Sequence, residues 1–248
     1  MPNDVSFVVK TYDRPRCLEK CLRSVRQYAP ESPLIVIDDG KTPAKDAFRV
    51  DNYTSDYHYY PQELGLSKGR NQGVQMVSTP YTFILDDDHV ITDDTKLDQT
   101  VGLIREEALD VLCVRQVHPT LDDGWWGVMY FRGTELYGRN GYHWREQNYL
   151  RVDAASNSFV ADTQVLKDNP WDNNLLLAEH FDFFLRLKKE GVRVGLRKAC
   201  YVFHDIKEYE NDQNYKPARA RAREYKRVAM KKHGITKLNL FNGRKKRK

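Results

Sequence analysis

The stretch Tyr81-Thr82-Phe83-Ile84-Leu85-Asp86-Asp87-Asp88 joins five strand-forming residues to three consecutive acids, and this junction decides the fold. A continuous apolar run with abrupt polar bounds fits a strand covered on both faces, as in a parallel sheet. The same punctuation occurs twice upstream. Val5-Ser6-Phe7-Val8-Val9 runs into Lys10-Thr11-Tyr12-Asp13, and Leu34-Ile35-Val36-Ile37 runs into Asp38-Asp39-Gly40. Between them Pro15 stands at a helix entry, Leu18, Cys21, Leu22 and Val25 recur at helical spacing, and Pro30 stops the helix. Strand, helix, strand in this form predicts the α/β class, with a mostly parallel central sheet flanked by helices.

Working outward, Tyr57 to Tyr60 reads as a short strand. Gly65-Leu66-Ser67-Lys68-Gly69-Arg70-Asn71 reads as a glycine-rich turn into a helix that Ser67 can cap and that presents Val74 and Val77. A helix from about Thr95 to Ala108 and a strand Val111 to Val114 follow. From Asp122 to Tyr149 glycine and aromatic residues suit hairpins and loops better than βαβ units. Glu179 to Glu190 returns as a helix with Gly191 at its C-terminal cap. Val192 to Val194 and Tyr201 to His204 are predicted strands, and about Pro217 to His233 a helix. With no internal repeat and no Pro/Ser linker, one domain is expected.

The chain has 248 residues, 40 Lys+Arg against 35 Asp+Glu, and a net charge of +5. At 40% hydrophobic and 12% aromatic residues it is not a disordered chain. The charge is divided: Lys216 to Lys248 holds 14 Lys+Arg and one acid, hence +13, which leaves −8 on the body. Cys17, Cys21, Cys113 and Cys200 are too few and too scattered for a disulfide scaffold or a zinc site, and read as buried small residues in a reducing compartment. Neither a basic leader nor an 18-residue apolar run occurs, so no transmembrane segment is expected. The basic segment reads as a solvated helix or a weak contact with an anionic surface through 216–248. Arg219, Arg221 and Arg223 would spread around a helix, which disfavours nucleic acid.

In open parallel sheets ligands bind beyond the carboxyl ends of strands. Crowded acids there repel one another, and a hard divalent cation with oxygen ligands relieves the repulsion. The Gly65–Asn71 stretch lacks the Gly-Lys-Ser/Thr of a phosphate-binding P-loop, and no GxGxxG follows a strand. It still offers N–H groups at a helix start, with Lys68 and Arg70, to a diphosphate; a plain helix N-terminus is the competing reading.

Val-Val-Lys-Thr-Tyr-Asp-Arg-Pro, Ile-Asp-Asp-Gly, Gly-Leu-Ser-Lys-Gly-Arg-Asn and Ile-Leu-Asp-Asp-Asp-His-Val occur in the order and spacing of family 2-type glycosyltransferases. Glu179-His180-Phe181-Asp182-Phe183-Phe184 further resembles their β-1,4-N-acetylgalactosaminyltransferase branch. The resemblance implies the GT-A fold over 1–215, with a nucleotide-binding half to about 116, an acceptor-binding half over 117–215, and the basic segment 216–248 beyond. It implies that Thr11 and Tyr12 line the nucleotide pocket, that Asp39 accepts from a uracil N–H, and that Arg70 and Asn71 lie near the ribose or diphosphate. In the Asp-x-Asp motif Asp86, with Asp87 beside it, would serve the nucleotide sugar. Asp88 would hold Mn2+ or Mg2+, with His204 as a further ligand. Taken alone, His204 also reads as a satisfied edge histidine.

The implied activity is metal-dependent, inverting transfer of a sugar from a nucleotide donor, UDP-linked and with UDP-HexNAc as one option, to a hydroxyl of a glycan acceptor. The family places Glu-Asp where this chain has Glu179-His180, so the base is expected among Glu179, Asp182 and His180, with Glu179 preferred. Trp125 and Trp126 could stack on an acceptor sugar, or fill a hairpin core. Two other readings stand beside this one: a nucleotidyl- or phosphoryltransferase using the Asp triplet, and a polyanion-binding module acting through the basic segment. A cytoplasmic or membrane-peripheral location is expected for a complete chain, and a lumenal Golgi-type one for an excised domain.

Overall fold

The computed structural model describes residues 4–107, 109–118, 121–122, 125–205, 220–239 and 245–246. The central sheet is assembled around β1 (Val5–Thr11), buried along its whole length as its apolar run requires. On one side lie β2 (Leu34–Asp38) and β3 (Asp56–Tyr59), and on the other β4 (Tyr81–Asp86), all parallel. Helices α1 (Pro15–Tyr28) and α2 (Gly65–Met76) cover opposite faces of this half. Beyond β4 come β5 (His89–Val90), α3 (Leu97–Glu106), β6 (Val111–Val117) and a two-residue β7 (Leu121–Asp122). A hairpin of β8 (Trp126–Arg132) and β9 (Glu135–Arg139) follows, turning at Gly133 with φ +56°. After it come β10 (Leu150–Val152), β11 (Ala154–Ala155), β12 (Phe159–Asp162), α4 (Thr163–Asp168), α5 (Glu179–Lys189) and β13 (Val194–His204). The chain closes with α6 (Ala222–Lys232), β14 (Lys237–Asn239) and β15 (Lys245–Lys246).

The main sheet runs β10-β13-β6-β12-β4-β1-β2-β3, with β5 on β13. The expected α/β class and mostly parallel sheet are met, with departures: β10 and β5 pair antiparallel with β13, and a third antiparallel strand lies inside the sheet. Antiparallel β12 is inserted between β4 and β6, with Phe159 opposite Ile84 on one side and Cys113 on the other. Its four residues carry no periodicity that separates parallel from antiparallel pairing. The two strands predicted at 192–194 and 201–204 are one strand, β13, whose register slips between Arg197 and Tyr201. The hairpin falls within the glycine-rich aromatic stretch, where hairpins were expected. All four cysteines are buried and unbridged. No described helix is long and apolar enough to cross a membrane.

The glycines of α2 are explained by packing. A Cβ on Gly69 would lie 2.4 Å from Lys10 side-chain carbons, and one on Gly73 2.4 Å from a Val8 methyl. Helix propensity alone favours alanine over glycine by about 1 kcal/mol, but overpacking a buried strand costs about 1–3 kcal/mol. Gly73→Ala is therefore expected to destabilise the fold, measured as a lowered urea midpoint; a raised midpoint would refute the close contact. Ser67 does not cap α2. It lies inside the helix, and its hydroxyl donates to Leu175 O at 2.6 Å.

The basic segment is only partly a tail. Residues 206–219 lie outside the described residues, but α6 buries Tyr225 and Ala229, and Ile235 follows them into the core beside α5. Asp182 of α5 ties this segment down, accepting from His233 Nε2 at 2.8 Å, Lys232 Nζ at 3.0 Å and Arg186 Nε at 3.0 Å. Burial pushes the Asp182 carboxyl up, and these three donors outweigh it, holding it far below the ordinary range. A depressed folded pKa gives stability that is complete above the unfolded value of about 3.9 and fades only as pH falls through the lowered one. Asp182→Ala is expected to cost about 2–3 kcal/mol at neutral pH, with most of that loss absent when unfolding is measured in strong acid. An equal loss at both pH values would rule out the ionic anchor.

Candidate active site

The carboxyl ends of β1, β2 and β4 meet in a lattice of charge. At β2, Asp38 folds back on its own loop, accepting from Gly40 N at 2.9 Å, Ala44 N at 2.7 Å and the Tyr57 hydroxyl at 2.5 Å. Asp39 pairs with buried Lys10 and accepts from Leu64 N at 2.7 Å and Gly65 N at 2.9 Å. Burial lowers the Lys10 pKa, and Asp39 opposes that shift. Leu66 N donates to Leu176 O at 2.9 Å. The N–H groups of Gly65 and Leu66 that open α2 are thus spent inside the protein and not offered to a diphosphate.

The three acids after β4 have separate fates because successive side chains diverge. Asp87 is fully buried. It accepts from the Thr11 hydroxyl at 2.6 Å and pairs through both oxygens with Arg14. Burial pushes Asp87 up to about 6 against the pull of Arg14. Thr11 and Asp87 therefore brace the site from beneath, which corrects the expectation that both contact the nucleotide sugar. Arg14 also reaches Asp88 Oδ2 at 2.7 Å. Asp86 Oδ1 accepts from Arg70 at 2.6 Å and from Asn157 Nδ2 at 3.2 Å. Burial would raise Asp86, yet Arg70 and the nearby histidines hold it down at about 2.

Arg70 is itself buried and joins Asp86 to Glu179 at the start of α5. The resemblance puts Arg70 near the ribose or diphosphate; here it underlies Asp86. Asn71, one residue on and about 100° around the helix, turns away. Its Nδ2 donates to Trp171 O at 2.8 Å and its Oδ1 accepts from Trp171 N at 2.9 Å, so it holds a loop and does not face the site.

At Asp88 an imidazole arrives from the far side of the sheet. β5 pairs with the end of β13, His89 opposite His204, which brings His204 Nε2 to 3.4 Å from Asp88 Oδ2. Asp88, His89 and His204 offer ligand atoms within 4.8 Å of one another. The bonding of His89 argues against its being a ligand. Its Nδ1 accepts from Asp86 N at 3.0 Å and faces the Ser158 hydroxyl at 3.0 Å, so a neutral ring carries its proton on Nε2. Asp88 and His204 fit a divalent cation. Asp88 Oδ1 is a buried oxygen with no hydrogen-bond donor among the described residues, and Asp86, Asp87, Asp88 and Glu179 against Arg14 and Arg70 leave two negative charges. Repulsion alone, from which the cation was expected, is largely met by the two arginines.

The three candidate bases are sorted by access. Ala178, with φ +59°, takes a left-handed turn that opens α5, a costly conformation for a residue with a Cβ. Glu179 behind it is 1% exposed and paired with Arg70; burial pushes its carboxyl up, but His180 and Arg70 outweigh this and lower it. Asp182 is 1% exposed and committed to the basic segment. His180 is 31% exposed, with Nδ1 3.2 Å from Glu179 Oε1. Asp86, Asp88 and His204 share with His180 a partly open setting, at 24%, 10% and 18%. Tyr12, next to Thr11 at the end of β1, is half-buried. Trp125 packs edge-on to Phe184, and Trp126 lies under Lys198, so both belong largely to the packed hairpin, although neither is fully buried.

Sequence reasoning missed Arg14, His89 and Asn157. Arg14 and His89 stand inside stretches already quoted for their spacing, but their partners lie across the fold. Only Asn157 carried no local signal.

The glycosyl transferase family 2 model matches residues 6–168. The chain is 36% identical over 194 residues to mouse beta-1,4 N-acetylgalactosaminyltransferase 2, covering 74% of this chain and 36% of that protein. It is 27% identical over 217 residues to human beta-1,4 N-acetylgalactosaminyltransferase 1, covering 82% and 39%. The chain thus spans well under half the length of these curated relatives. Among solved structures, S. aureus TarS in complex with UDP-GlcNAc superposes with TM-score 0.61 at 18% identity, over 81% of this chain and 58% of that one. GalNAc-T7 with UDP, GalNAc and Mn2+ superposes with TM-score 0.62 at 14% identity, over 81% and 43%. At these identities both structural likenesses are likenesses of fold.

Proposed function

The chain belongs to glycosyl transferase family 2 and has its GT-A fold, and we propose that it transfers a sugar, with inversion, from a UDP-linked donor to a hydroxyl of a glycan acceptor. One observation carries the reading: Asp86, His204 and His180 stay partly open around a buried Asp88, above a floor of buried, mutually paired charges. That floor holds the accessible groups in place without competing for ligand. The N-acetylgalactosaminyltransferase names of the relatives support an N-acetylhexosamine donor, in keeping with the UDP-GlcNAc held by one structural neighbour and the UDP and GalNAc held by another.

Asp88 and His204 would hold Mn2+ or Mg2+, which when bound supplies positive charge to a departing diphosphate. Asp86 would contact the ribose, with Tyr12 at the nucleotide end and Asp39, buried and held by Lys10, Leu64 and Gly65, shaping that end from beneath. The acceptor hydroxyl must lose its proton as it attacks, and the group that takes it has to be reachable. His180 meets that demand better than Glu179, the residue preferred from sequence. Glu179, whose Oε1 lies 3.2 Å from Nδ1, would instead steady the positive charge of the imidazole, with Arg70 fixing the carboxylate.

Incubation with UDP- and GDP-sugars, with and without Mn2+, tests the reading. Metal-dependent release of nucleoside diphosphate is expected, faster with a glycan acceptor. Release of nucleoside monophosphate or pyrophosphate would replace it with a nucleotidyl- or phosphoryltransferase. Binding of polyanions with no nucleotide binding would replace it with a binding module.

A further inference from the structure

Asn157 stands two residues before β12. The register of that strand on β4, Phe159 opposite Ile84, carries it to the Asp86 end of the sheet. The residue is 2% exposed. Nδ2 donates to Asp86 Oδ1, while Oδ1, also buried, accepts from no donor among the described residues. Reversing the amide would not satisfy it. Asp86 pairs with the Arg70 guanidinium at 2.6 Å as a carboxylate offering only lone pairs, so the nitrogen must face it and the oxygen must face elsewhere.

Glu179 Oε2 is a second buried acceptor in the same state, its Oε1 being taken by Arg70. One guanidinium thus joins both residues, with its NH2 on Asp86 beside Asn157 and its NH1 on Glu179. Buried acceptors without donors are uncommon and call for an explanation. Two of them on one rigid network have the chemistry that recognises hydroxyl groups.

The position of the network says which hydroxyls. Tyr12 and Asp39 follow β1 and β2, whereas Asn157 lies on the other side of β4, toward α5 and His180. This is the side of Asp86 away from the base, where the anomeric carbon and the acceptor would meet. Resting on the reading of the chain as a nucleotide-sugar-dependent transferase, we propose that Asn157 Oδ1 and Glu179 Oε2 accept from hydroxyls of the donor pyranose, and that Asn157 is a residue that determines which sugar is accepted. A site with buried acceptors rejects a donor that lacks the matching hydroxyl, because the acceptor is then desolvated for nothing.

The test compares the parent protein with Asn157→Ala and Asn157→Ser, using UDP-N-acetylgalactosamine, UDP-N-acetylglucosamine, UDP-galactose, UDP-glucose and single-deoxy UDP-sugars as probes. Asn157→Ala is expected to lower kcat/KM for the preferred donor by about 10–100-fold and to flatten the preference among donors. Affinity for UDP alone should stay within about twofold of the parent. Equal weakening of UDP and UDP-sugar, or an unchanged donor preference, overturns the proposal. Should neither variant fold, the parent decides: loss of about tenfold or more on one deoxy donor supports the proposal, and equal turnover of every deoxy donor overturns it. A parent protein that binds no nucleotide sugar refutes the transferase reading itself. An active parent with an unaltered Asn157→Ala variant refutes this inference alone.

Discussion

An Asp88→Ala variant is expected to lose metal-dependent turnover of nucleotide sugar by about 10³-fold or more, since the charge stabilisation of a departing diphosphate amounts to several kcal/mol. The fold should survive the change, because Arg14 keeps its pairing with Asp87 and the buried floor stays neutralised. Asp88 Oδ1 is a buried carboxylate oxygen that takes no hydrogen bond among the described residues. Titrating Mn2+ into the parent, Asp88→Ala and His204→Ala separates the two ligands. His204→Ala should need about 10–100-fold more metal for half-maximal activity and recover much of its rate at saturation. Asp88→Ala should recover little at any concentration. Parent-like turnover in Asp88→Ala would remove the metal from Asp88 altogether.

The second large effect falls on His180. His180→Ala is expected to lower kcat by about 10²–10⁴-fold, the range of general base catalysis, while KM for the donor stays close to the parent value. A base imidazole works only when neutral, so parent activity should fall as the solution is made acidic, and the variant should lose that acid limb. Glu179→Gln should retain more activity than His180→Ala but carry a shifted pH profile, because the carboxylate 3.2 Å from Nδ1 is replaced by an amide. A parent-like His180→Ala beside an inactive Glu179→Gln would return the role of base to the carboxylate. Asp182→Asn should lower stability far more than kcat, since its partners are Arg186, Lys232 and His233.

The strands that bear the site were legible because each is a contiguous apolar run ending in polar residues, a local signal that survives folding intact. The identities of the acids were legible for the same reason. Their roles were not, because each role depends on partners far along the chain. Arg14 meets Asp87 and Asp88 across 73 and 74 residues, and Asn157 meets Asp86 across 71. Arg70 and Asn71 seemed interchangeable as neighbours in one motif, yet helical rotation sends one to Asp86 and the other to Trp171. The basic segment misled in another way. Its charges are counted easily, whereas Tyr225, Ala229 and Ile235 are few among them and reveal a buried face only once α5 supplies the opposite surface.

The insertion of β12 also bears on how the chain comes to be folded. β4 ends at residue 86 and β6 at residue 117, but they are separated in the sheet by a strand that is synthesised about 40 residues after β6. Until β12 arrives, both strands present unpaired edges, and a hydrophobic edge of this kind invites pairing with other chains. Closing the sheet therefore waits for contacts of long sequence separation, which slows folding and prolongs exposure to aggregation. A fragment cut near residue 117 would keep every motif of the nucleotide-binding half and still lack the strand that completes its sheet.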